Sequence, residues 1–366
     1  MAVRGKAELG KGAWLKDTGL ALIPVAGLAV YAALKFLQTP SSLAFAIVLP
    51  VLLAVVMTAV FHAEDLAHAL GEPAGTLVLT IAVTVIEVAL ILPVAFGSHG
   101  DPALARDTVF AVVMIVCNGL VGLCILTGGI RHREQDFQVT GASAYLAVLS
   151  ALSVLTLILP NYTTSTPGPA FAPSQLLLVA VETLLLYGVF LYIQTIRHTE
   201  YFVLPEAQPQ PSAAQGRFPV KQLLLLLATL LAAVLLAKTF AGLLKAELAA
   251  AGAPGALAGF VVALLVLLPE SIAALRASYA NQIQRSINLA LGSSLATIGL
   301  TVPAVAALSL YLGRDLILGL GNQSAVLLLL TLLLSTLTFG TGRTNILYGF
   351  VHLIVFATYI LLIFSP

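Results

Sequence analysis

Charge is scarce in this sequence: Lys, Arg, Asp and Glu make up only 9% of 366 residues, and the net charge is +1. A soluble globular surface needs roughly a quarter of its residues charged, so that class is excluded, and no basic patch is left for nucleic acid. Cysteine is scarcer still. Cys117 and Cys124 sit in one apolar stretch with no C-x-x-C spacing and no histidine partner, which excludes a zinc or dithiol site and leaves them as small core side chains. What remains is apolar. Hydrophobic residues are 60% of the chain and the mean hydropathy is +1.04, the composition of a polytopic helical membrane protein.

A bilayer core of about 30 Å demands apolar runs of roughly 17 to 25 residues. Such runs lie near 18–38, 42–61, 75–96, 108–128, 142–160, 174–196, 221–243, 255–277, 286–309, 323–339 and 345–364. They predict an all-α fold of 11 transmembrane helices. Transmembrane barrels are excluded by the run lengths, and the first run is too long for a cleavable signal peptide. With the N-terminus inside, 12 of the 17 Lys and Arg residues fall on the cytoplasmic side, so the positive-inside rule predicts a cytoplasmic N-terminus and an external C-terminus.

A polar segment rich in Pro and Gln, 197–219, reads as a cytoplasmic linker. It leaves an extra first helix in 1–40, five helices in 41–196 and five in 220–366. Five is odd, so two such halves must have opposite topology, the 1+5+5 inverted-repeat plan of secondary transporters. Glu270, directly after Pro269 in LLVLLPESIAALRAS, lies in the second run of the second half. A carboxylate at membrane depth is costly and marks a functional site by default, and the proline frees a carbonyl beside it. Its counterpart in the first half is Glu87, which ends a helical stripe of Thr76, Thr80 and Thr84. In the following spans Asn118 and Asn288 offer neutral amide oxygens of the kind hard cations accept. Ser271, Ser293 and Thr84 are further candidate ligands.

The segments GEPAGTLVLTIAVTVIEVALI, PESIAALRASYANQIQRSINLALGSSLATIGLTVPAV and FGTGRTNILYGFVHLIVFATYILLIF resemble the bacterial calcium/sodium/potassium-proton antiporters of the Cha type, within the cation/calcium exchanger superfamily. The resemblance implies export of a cation against inward protons, with Glu87 and Glu270 as the carriers. It implies no cofactor; the partners would be lipid, protons and Ca2+, Na+ or K+, in a bacterial plasma (inner) membrane. The acidic linker segment of better-known calcium/proton exchangers is missing here: 197–219 holds only Glu200 and Glu206.

Other polar residues have humbler readings. His62, Glu64, Asp65 and His68 lie close together, but the histidines are six apart, not at the i and i+4 of a metalloprotease helix. With Glu72 they read as a solvated helix end, or as a vestibule that gathers cations and relays protons. Glu182 reads as a structural carboxyl, protonated or paired with a neighbour, with a proton relay as the alternative; His352, Arg343 and Asn345 read as packing or helix-end residues, with proton transfer as the alternative for His352 because histidine titrates near physiological pH. An intramembrane metalloenzyme on the His62–His68 cluster and a channel are the competing classes; the first lacks a third ligand and a general base at compatible spacing, and paired prolines and inverted halves favour alternating access over the second.

Overall fold

The computed structural model describes residues 20–36, 40–71, 74–96, 101–202 and 219–365, and Glu72, Glu206 and most of the linker lie outside them. The chain is nearly all helix. In order come α1 (Leu20–Phe36), α2 (Ser41–Leu70), α3 (Ala74–Phe96), α4 (Leu104–His132), α5 (Val139–Leu157), α6 (Pro173–Arg197), α7 (Val220–Ala250), α8 (Ala256–Tyr279), α9 (Ile283–Leu312), α10 (Asn322–Phe339) and α11 (Ile346–Phe364). Among the described residues, nine of these are long and apolar enough to cross a membrane; α1 and the apolar part of α3, Leu77–Pro93, are shorter.

Two helices overshoot the runs that predict them. At 1.5 Å per residue the 30 residues of α2 span roughly 45 Å, well beyond a hydrocarbon core of about 30 Å. The last turns of α2 therefore carry polar side chains past it. Glu64, Asp65 and His68 are exposed there while His62 is buried, and the helix stops at Gly71, whose φ of 70° suits a residue without Cβ. The 31-residue α7 overshoots in the same way.

The helices gather into two compact units. The first holds α1, α2, α3 as far as Pro93 and α7 as far as Glu247; the second holds the remainder. In the first, a Cβ on Gly27 of α1 would meet Val55 of α2 and Leu236 of α7, Phe45 stacks on Phe240 at 5.8 Å, and Ala63, Leu66, Ala82 and Leu226 form a core.

The second unit is built around α4, which is buried without interruption from Thr108 to Gly122, so protein surrounds it on every face. Such a helix can be hydrophobic all round. α11 packs antiparallel on it, and a Cβ on Gly122 would stand 3.1 Å from the Gly349 carbonyl oxygen, so close that a larger residue would push the two helices apart by a few tenths of an ångström. Loops close the unit at both ends. At one end β1 (Gln135–Asp136) pairs with β2 (Arg343–Thr344), and Arg343 bonds Asp136 at 2.8 Å and reaches Glu134 at 3.8 Å. Arg343 is thus a clamp between two loops as well as a helix-end residue. Nearby, the exposed Glu200 carboxyl is held below its usual range by a backbone N–H and by the His198 ring. At the other end Arg106 and Asn161 donate to the Gly319 and Leu320 carbonyls.

Candidate ion-exchange site

In α8 the ring of Pro269 leaves the Leu265 carbonyl without its helical donor, at a step where Pro269 is buried and Glu270 half-buried. The depth of Glu270 follows from how α8 packs on α4. A Cβ on Gly259 would touch the backbone of Asp107 and Thr108, and further along Ser278 donates to the Cys124 carbonyl and borders Gly128. The two helices therefore run parallel with matched rise. Glu270, eleven residues beyond Gly259, stands level with the wide turn Ile115–Leu120 in the middle of α4. Eleven residues is close to three turns, so Gly259 and Glu270 share the face of α8 that meets α4.

That wide turn is π-helical, an insertion that loosens the ladder of backbone bonds and often marks a functional position. α9 has one too, at Thr297–Thr301. α4 and α9 each carry this irregularity near the middle, and α6 ends in a third π-helical turn, Ile193–Arg197.

Asn118 lies in the α4 turn, fully buried, and its partners can be assigned by counting protons. Thr331 of α10 spends its one hydroxyl proton on the Leu327 carbonyl at 2.7 Å. It must therefore accept from Asn118 Nδ2, at 2.8 Å. The amide oxygen then faces His352 of α11 at 3.2 Å, so Nδ1 carries the proton and Nε2 accepts from Thr338 at 2.9 Å. A neutral imidazole satisfies every contact. Four polar side chains from three helices thus form a closed layer at the depth of Glu270.

The remaining candidates fall at different depths. Counting along the α8–α9 hairpin at 1.5 Å per residue, Ser293 is level with Glu270, and Asn288 lies roughly 6 Å nearer the loop. Asn288 is also committed there: it donates to the Phe202 carbonyl at 2.6 Å and accepts from Gln284, which holds the Gln138 amide. Ser271 is half-buried. Glu87 is 1% exposed near the middle of α3, and Thr84 donates to the Thr80 carbonyl one turn back. Glu87 belongs to the first unit and Glu270 to the second.

The pairing of Glu182 with a neighbour is not found. Glu182 is exposed on α6, and no hydrogen bond or ion pair joins it to a described residue. Cys117 and Cys124 are buried as expected. The polar layer was not foreseen, since Asn118 and His352 are 234 residues apart; the only hint was a histidine in an apolar run.

A family model for the sodium/calcium exchanger protein matches residues 40–196 and 221–365, almost the whole chain. The chain belongs to this family. It is 39% identical over 310 residues to the sodium-potassium/proton antiporter ChaA of Escherichia coli, covering 83% of this chain and 84% of that one. It is 48% identical over 314 residues to a protein of Sinorhizobium fredii named as an ionic transporter, y4hA, covering 85% and 86%. The fold matches that of YfkE with a TM-score of 0.73 at 15% identity, over 95% of this chain and all of that one. It also matches the H+/Ca2+ exchanger CAX with a TM-score of 0.68, over 94% and 88%. This exchanger-family protein is a multi-pass secondary transporter of the cation/calcium exchanger superfamily, not an enzyme.

Proposed function

We propose that this exchanger exports Ca2+ in return for protons, with both competing for Glu87 and Glu270. The observation that carries the reading is Glu270, set behind a helix-interior proline and level with the π-helical turn of α4. In this reading the chain spans the membrane 11 times as 1+5+5, with the N-terminus cytoplasmic and the C-terminus outside. The paired π-helical turns of α4 and α9 support the inverted repeat. Ser293, Ser271, Thr84 and the free lone pair of Asn118 supply neutral oxygens, while Asn288 anchors the loop below.

The chemistry needs no cofactor. A carboxylate in a low-dielectric site is costly when ionised and empty, and either a proton or a cation relieves that cost. A site that changes sides only when loaded couples the two flows. Two carboxylates balance one divalent ion or two protons, which favours Ca2+. Kinship with a sodium-potassium/proton antiporter supports a second reading, exchange of Na+ or K+ for protons in the same site. Sealed vesicles decide between them: proton release on adding Ca2+ supports the first, and release only on adding Na+ or K+ supports the second.

A further inference from the structure

The ends of α4 and α8 that lie beside β1 gather positive charge without matching carboxylates. The guanidinium of Arg131, in the last turn of α4, lies 4.0 Å over the Tyr279 ring at the end of α8. Arg276, three residues before Tyr279, is its neighbour along the helix face. His132 donates from Nε2 to the Tyr279 carbonyl at 3.1 Å, which holds the two helix ends together. Arg133 follows at φ 70° and ψ −62°, a γ-turn closed by the Glu134 N–H on the His132 carbonyl at 2.9 Å. That turn is rare and strained for a residue with Cβ, and glycine would occupy it at lower cost.

All three arginines are exposed, and none forms an ion pair with a described residue. The acids of the adjoining loop, Glu134 and Asp136, are already taken up by Arg343. The negative ends of the two helix dipoles offset roughly half a charge each, which three guanidinium groups exceed. Like charges gathered round one ring repel unless an anion lies among them. We propose that this corner binds the phosphate of an anionic phospholipid headgroup, with Arg131 and Arg276 as its two forks and Arg133 at its edge. A guanidinium suits a phosphate because its N–H groups pair with two oxygens at once. A lipid, rather than a soluble anion, fits the place. The corner caps two membrane-spanning helices, and Tyr279, 57% exposed, is an aromatic of the kind found at the membrane interface. Ile130 of α4 and Leu347 of α11, 67% and 68% exposed, flank it on the membrane side where acyl chains run. The cytoplasmic placement of this corner rests on the topology proposed above, whereas the capture of a headgroup does not.

The test uses the full-length protein, stripped of lipid in an uncharged detergent, and reads retained lipid by native mass spectrometry and stability by thermal unfolding. Phosphatidylglycerol should be held tightly and raise the melting temperature, while phosphatidylcholine with the same chains, and inorganic phosphate, should do neither. A surface arginine facing anionic lipid is worth about fivefold in affinity, so Arg131→Gln and Arg276→Gln should each weaken binding by about that factor. Arg131→Lys keeps the charge but not the fork, and should fall between wild type and Arg131→Gln. Without lipid Arg133→Gly should melt higher than wild type, because the strained turn is relieved, yet it should gain less from phosphatidylglycerol. Lys221→Gln, at an exposed cation away from this corner, should bind as wild type does. Cation-dependent proton release should persist in every variant, which keeps this test separate from that of the exchange site. Equal retention of the two lipids, equal stabilisation by inorganic phosphate, or an Arg131→Lys variant that matches wild type would overturn the proposal.

Discussion

Replacing His352 by leucine tests the assignment of protons in the buried layer. The leucine fills comparable volume and removes two hydrogen bonds, one to Asn118 at 3.2 Å and one to Thr338 at 2.9 Å. Thr338 can recover by donating one turn back, as Thr331, Thr336 and Thr358 already do. Asn118 has no such escape, because Thr331 fixes its Nδ2 and the orphaned oxygen stays buried. Leaving one buried acceptor unpaired costs about 1 to 3 kcal/mol, and contacts between membrane helices sit at the lower end of such ranges. The expected loss is therefore about 1 to 2 kcal/mol. His352→Gln, whose amide can still donate to Asn118, should lose less than half of that. Thermal unfolding in detergent, followed by the soluble fraction on size exclusion, reads the order wild type, Gln variant, Leu variant. Equal melting of the Leu variant and wild type would refute the network as a source of stability. Equal losses in both variants would refute the donor assignment.

The other predictions are shorter. Gly259→Leu forces α8 away from the α4 backbone, costing about 1 to 3 kcal/mol as overpacking; because Glu270 shares that face, the variant should also exchange more slowly at saturating cation, and a normal turnover rate would contradict the packing argument. Asn288→Ala should lower thermal stability through the lost bond to Phe202 while leaving apparent cation affinity within about threefold, in keeping with the modest worth of one interhelical bond; a larger shift measured by transport titration would return it to the site. Glu87→Asp and Glu270→Asp retain charge but withdraw the oxygens by one methylene, so each should keep partial exchange with an altered preference among Ca2+, Na+ and K+ in vesicle flux.

Much of the fold was legible because lipid is an unforgiving solvent: apolar run length maps directly onto helices, and nine of them are found at full length among the described residues. Helix ends were less legible. The last turns of α2 and α7 run past their apolar stretches, and α2 ends only at the Gly71 cap, a boundary that hydropathy does not register. Glu87 and Glu270 stood out because a charge in an apolar run is rare. The partners of Asn118 did not, since Thr331 and His352 join it only through tertiary packing, and threonine in an apolar helix usually bonds its own backbone. Sequence spacing set Asn118 and Asn288 in parallel roles because each lies one span after a glutamate. Depth separates them: one sits in the central π-helical turn, the other five residues into its helix and tied to a loop. Glu182 shows the reverse limit, for a helix pattern fixes its depth but not which neighbours α6 has.

The central claim is that Glu87 and Glu270 carry the cation and the protons in turn. The direct measurement is Ca2+-dependent proton release from sealed vesicles bearing Glu87→Gln or Glu270→Gln, with protein amount and folding matched to wild type. An amide keeps the size and cannot trade a proton for a cation, and it is cheaper to bury than a carboxylate, so each variant should fold and lose coupled exchange. In wild type, apparent Ca2+ affinity should fall as protons compete on the side where Ca2+ is added. Proton-coupled Ca2+ flux that persists in either glutamine variant would contradict the account.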